Sequence, residues 1–198
     1  MSFELVNTLS TLGTFLVIAA TAIVAIVQLR HARSSNQIEV FNELRETEAS
    51  EEIRGARHFV ARDLAQKLRD SAFRYQVNAN AARTDENRPL IGKIMALGNF
   101  YEGMGLLVKA GFIDSILALE MYAEEVAHDW EELEPITAIS RRQSGKALWE
   151  NFEYVTVLAQ DWIAAHPKGA YPAGVRRIDL KDDFLEPDKR YAASLPSP

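Results

Sequence analysis

Apolar and polar positions divide the chain into three regions. Leu5 to Leu29 is an uncharged run of 25 residues whose centre, Phe15 to Val27, is almost wholly apolar. As a helix it would extend about 37 Å, enough to cross a hydrocarbon core of about 30 Å. Its polar residues (Asn7, Thr8, Ser10, Thr11, Thr14, Thr21) form no stripe, as the wet face of a soluble core helix would. From Ser34 to His166 apolar residues recur at helical rather than alternating spacing, and no segment reads as strand. After His166 the pattern breaks down. Five of the seven prolines fall there among charges of both signs, and an extended or disordered tail is expected.

These regions predict an all-α chain: an anchor with a basic flank over 1–33, a bundle of about four to five helices over 34–165, and a tail over 166–198. The span is expected to continue unbroken through Ile38, Phe41 and Leu44 as a rod holding the bundle off the bilayer. Ser50, followed by Glu51 and Glu52, reads as a helix start. The helix it opens is predicted to reach Asn78, and the loop Asn78 to Pro89 precedes a third helix from Leu90 to about Ala110, stopped by Gly111. Asp114 or Ser115 starts a fourth, with Ile116, Leu119, Val126, Trp130 and Leu133 inward, which Pro135 kinks or ends. A fifth runs from about Lys146 to Ala165.

Charge decides orientation and partners. No Lys or Arg precedes the apolar run and Arg30 and Arg33 follow it, which predicts a single-pass protein of the inner (plasma) membrane with its N-terminus outside and its bundle cytoplasmic. The acidic Met-Ser-Phe-Glu start and the length of the run speak against a cleaved signal peptide. The absence of cysteine agrees with a reducing compartment. Net charge is −6, but Asp114 to Glu134 carries eight acids and no base, while Arg54 to Arg74 carries six bases against Asp63 and Asp70. Two oppositely charged helices side by side would explain this, and so would an acidic surface kept free for a basic protein partner. The expected partners are therefore the bilayer through residues 5–29 and a protein at the 114–134 surface. Ser10 with Thr14 and Thr21 with Ala25 are small-residue pairs that would suit self-association in the membrane. No basic, aromatic-laced patch points to nucleic acid.

Candidate chemistry is sparse. Glu125-x-x-His128 has di-metal spacing, but His128 lies about 160° from Val126 on the helix and no second such pair exists, so no metal or cofactor is expected. Nucleotide-loop, nucleophile-elbow and zincin motifs are absent. The third helix is more informative. Gly98 and Gly105 share a face where a missing side chain permits close backbone contact, and Glu102 lies between them as a partly buried carboxylate. A buried carboxylate requires a partner; Arg57, Arg141 and Arg142 are the candidates. With Asn99 and Arg141 or Arg142, Glu102 would otherwise line a small-ligand or acid/base site. The sequence thus favours a protein-interaction or self-association module over a ligand sensor or enzyme.

The order of features, QLRHAR at 28–33, NFYEGMGLLVKAGFID at 99–114, Trp130 before Pro135, Arg141-Arg142 and LWENFEYV at 148–155, resembles a bacterial family of short single-span membrane proteins. The resemblance covers about Phe15 to Trp162, with Asn99 to Leu107 and Trp149 to Glu153 its most specific parts. It implies a helical bundle behind an anchor and supplies no activity, since the family's domain is of unknown function.

Overall fold

The computed structural model describes Thr21, residues 23–25, Gln28, and residues 37–78 and 81–195. The described chain is all-helical and forms two compact units, one ending at Pro167 and the other covering Lys168–Pro198. The expected span over 5–29 lies mostly outside the described residues, and among those described no helix is long and apolar enough to cross a membrane.

In the first unit, α1 occupies residues 37–48. Leu44 is buried, Phe41 is partly buried against Tyr122, and Gln37 Nε2 donates to the Gly111 carbonyl at 3.3 Å. The segment is therefore packed on the bundle and is not the free rod expected. Ser50 caps α2 (Glu51–Phe59) by accepting from the Ile53 amide at 3.3 Å. A π-helical stretch, Val60–Leu64, and a last turn, α3 (Ala65–Lys67), complete that rod. The predicted continuation to Asn78 is interrupted: Asp70 accepts from the Ala72 amide at 2.8 Å and opens a separate helix, α4 (Ser71–Val77). Gln76 then holds the following loop through its carbonyl oxygen, which accepts from the Thr84 amide and the Asn87 side chain.

The next helix, α5 (Asn87–Lys109), is the centre of the bundle. Pro89 is tolerated in its first turn, where an N–H would have no partner within the helix, and Gly111 at φ 73° follows its end as expected. Asp114 caps α6 (Ser115–Ser144) by accepting from the Leu117 amide at 3.0 Å. Pro135 does not end α6. It stands on the exposed side, as does Glu131 four residues before, so the carbonyl that loses its bond faces solvent. Ile116, expected inside, is 59% exposed; Tyr122, Val126, Asp129 and Leu133 occupy the buried stripe. After Gly145, α7 (Glu150–Ala165) packs across both α5 and α6.

The second unit, expected to be without regular structure, contains α8 (Leu185–Ser194). Within this unit the Arg177 guanidinium stacks over Tyr171 at 4.5 Å.

Candidate functional site

Local sequence leaves α7 without a cap of its own. Its N-cap residue is Trp149, whose side chain makes no capping hydrogen bond and whose backbone is left-handed at φ 53°. The missing acceptor comes from α5. Glu102 Oε2 accepts from the Asn151 and Phe152 amides, each at 2.9 Å, and Oε1 accepts from the Asn151 carboxamide at 2.8 Å. A carboxylate on the positive end of a helix satisfies two otherwise orphaned donors and gains from the helix dipole.

The expected arginine partner is therefore a correction. Among the described residues Glu102 forms no ion pair; the first turn of α7 takes that place. Arg57 is engaged elsewhere and Arg142 is exposed. Arg141 works on the other side of the same junction, donating to the Leu148 carbonyl at 2.9 Å and the Trp149 carbonyl at 3.3 Å while pairing with Glu153 at 2.7 Å. Asn99 accepts from the Trp149 indole at 3.0 Å. Both glycines make the close contacts their spacing predicts: a side-chain carbon at Gly98 would meet the Trp149 ring, and one at Gly105 the Asn151 backbone carbonyl. Gly98, Asn99, Glu102 and Gly105 thus form a seat for the start of α7, with Arg141 closing it. Among the described residues Asn99, Glu102 and Arg141 each hold a different part of this junction, and Arg142 is exposed. Asn99 lines a groove of about 360 Å³ between α1 and α5, with Val40, Leu44, Phe100 and Met104, and neither Glu102 nor an arginine borders it.

A second polar cluster was not anticipated. Asp129 is 1% exposed on α6; its Oδ2 accepts from Arg57 Nε at 3.0 Å and from the Tyr101 hydroxyl at 2.8 Å. Arg57 Nη2 donates to the Tyr101 oxygen at 3.0 Å, and the guanidinium also meets Glu48 at 3.4 Å and Glu125 at 3.5 Å. Four helices, α1, α2, α5 and α6, meet at this point. Burial opposes the charge on Arg57, but Tyr101, Asp129 and Glu125 together outweigh it and raise its pKa. Burial, then the Asp129 charge, raises the Tyr101 phenol, which stays neutral and able to donate. Burial, followed by a hydrogen bond to the Glu48 carboxylate, raises the Tyr122 phenol too. One signal could have located Asp129: it lies three residues after Val126 and four before Leu133, on the apolar stripe itself.

Glu125 gives this cluster a pH dependence. Burial raises its pKa, Arg57 pulls it down, and the neighbouring Glu48 pushes it up again. A carboxyl raised in the folded state contributes favourably below its unfolded value, and that contribution is lost as pH rises through the folded one. Glu125→Gln, neutral throughout, should therefore gain stability relative to wild type as pH rises from about 4 toward neutrality. Urea midpoints of the two proteins across that range check this, and a difference that does not change with pH would refute it.

The seat built from Asn99 to Gly105 and the Trp149–Glu153 segment that enters it both lie within residues 15–162, the stretch that matches a single family model. The chain belongs to the family described as Domain of unknown function (DUF4760). No curated protein and no solved structure matches it. The DUF4760 match takes in the residues of both polar clusters. Among the described residues no group of His, Asp or Glu could hold a metal ion; His128, of the Glu125-x-x-His128 pair, is exposed.

Proposed function

We propose that this DUF4760 protein is a membrane-tethered, cytoplasmic helical module that binds the basic segment of a protein partner along α6. One observation carries the reading: a groove of about 450 Å³ between α6 and α7, walled by Glu124, His128 and Glu131 and floored by Ala127, Ile163 and Ala164. Glu120 and Glu134 extend the exposed acidic line in both directions. An apolar floor beside fixed negative charge suits an amphipathic segment with Lys or Arg on one edge, and the charges would steer its approach. Of the eight acids, Asp129 is buried on Arg57 and Asp114 caps α6, while Glu120, Glu124, Glu131 and Glu134 stand exposed along one side of the helix. The three donors on the Glu102 carboxylate favour this reading over a ligand sensor centred there.

Cross-linking in native membranes tests the reading. A photo-reactive residue at Gln160 should capture a specific protein, and Glu124→Lys with Glu131→Lys should abolish that capture while leaving the melting temperature near wild type. Identical cross-linked species from wild type and the reversed variant would sink the proposal.

A further inference from the structure

Apolar exposure on the bundle concentrates at one end. The turn from α5 to α6 and the first turn of α6 leave Phe112 56%, Ile116 59% and Leu117 43% exposed, while Ile113 between them is 2% exposed and pins the turn to the core. Gln37 of α1 bonds Gly111 in this same turn, so the start of α1 lies at this end, and Ile38 beside it is 61% exposed. Large apolar side chains left exposed together at one end suit a contact with something other than water.

Covalent geometry says where this end is held. Eight peptide units separate Leu29, the last residue of the uncharged run, from Gln37, and whatever their conformation they reach at most about 29 Å. The other end of α5 is far away: Asn87, bonded to Gln76 of α4, begins a helix of 23 residues, about 34 Å long. With the run seated in a bilayer, this linker keeps the start of α1, and with it the Phe112 turn, within about 29 Å of the membrane surface, whereas the far end of α5 has no such tether.

We propose that this turn is a second membrane contact, in which Phe112, Ile116 and Leu117 insert into the lipid interface. The proposal rests on the membrane-tethered reading. Its chemistry is apolar: Asp114 is occupied capping the Leu117 amide, Lys109 donates to Asn151, and among the described residues no cationic cluster stands in the turn to recognise anionic headgroups. Neutral phosphatidylcholine should therefore suffice, and salt should not release the contact. Anchored at two points, the bundle would lie against the bilayer with α6 in a defined orientation.

Because the chain has no cysteine, single-cysteine labelling is direct. Full-length Phe112→Cys, Ile116→Cys and Tyr75→Cys proteins carry a bimane label in phosphatidylcholine nanodiscs; Tyr75, 70% exposed on α4 beside Gln76, is the reference at the far end. Labels at 112 and 116 should be blue-shifted, quenched by lipids brominated on the acyl chain, sheltered from aqueous iodide and unaffected by high salt. The label at 75 should show the reverse. Iodide quenching at 112 and 116 equal to that at 75 would overturn the proposal. So would shelter from both quenchers, which would mean that a second copy or another protein covers the turn. Loss of the protein from nanodiscs in alkaline carbonate would instead defeat the tether, separating that failure from failure of the contact.

Discussion

Asp129→Ala should destabilise the protein by about 3–5 kcal/mol, the range for removing one partner of a buried ion pair. For a chain of this length that is a fall of roughly 6–20 °C in melting temperature. The loss is large because Asp129 serves two donors at once, so its removal strands both the Arg57 guanidinium and the Tyr101 hydroxyl. Arg57 retains Glu48 and Glu125, but those lie at 3.4 and 3.5 Å and are more exposed, with side-chain accessibilities of 20% and 46%. Replacing the whole unit, with Arg57→Met, Tyr101→Phe and Asp129→Leu, should recover most of the loss, since apolar substitutes for a buried pair are often neutral. Thermal melts followed by circular dichroism decide the matter. A loss below about 1 kcal/mol for Asp129→Ala, typical of an exposed pair, would mean that the cluster is not closed.

Two glycines of one helix should respond to alanine with opposite signs. Gly92 is exposed on α5 and a side-chain carbon there would meet nothing, so Gly92→Ala should stabilise by about 0.5–1 kcal/mol through helix propensity. Gly105 offers the same propensity gain, but its new carbon would strike the backbone carbonyl of Asn151. Overpacking costs about 1–3 kcal/mol. A backbone carbonyl cannot rotate aside as a side chain can, and moving α7 away would stretch the three bonds to Glu102, each worth about 1.5–3 kcal/mol as a bond to a charged group. A net loss of about 2–4 kcal/mol is expected for Gly105→Ala. The pair of melting curves checks it, and stabilisation by both substitutions would show that α7 does not seat on Gly105.

Much of the fold was legible because it is encoded locally. Ser50 and Asp114 cap helices with their own side chains, Gly111 adopts the positive φ that its residue type permits, and Gly98 and Gly105 mark a close approach by lacking side chains. The break before α4 was written equally locally, in Asp70, but the continuing apolar spacing through Leu64 and Leu68 obscured it. Glu102 was recognisable as a carboxylate in need of a partner, whereas its partner was not. Backbone amides of a distant helix carry no residue-type signal, so an arginine was the natural expectation. Asp129 escaped for a related reason: an acid within an acidic stretch reads as part of a solvated face until its place on the apolar stripe is considered. Pro135 illustrates the converse. Its effect depends on whether the freed carbonyl meets protein or water, which composition does not reveal.

The borrowed cap on α7 also bears on the order in which the molecule assembles. A helix whose opening amides are satisfied by a carboxylate fifty residues earlier, and whose first cap residue holds a left-handed backbone, gains little by forming ahead of its docking site. Its hydrogen-bonded state and its seating on α5 are one event. The amides of Asn151 and Phe152 would then exchange with solvent only when α7 leaves α5, so their exchange rates clock the opening of the bundle as a cooperative step and not the fraying of a helix end.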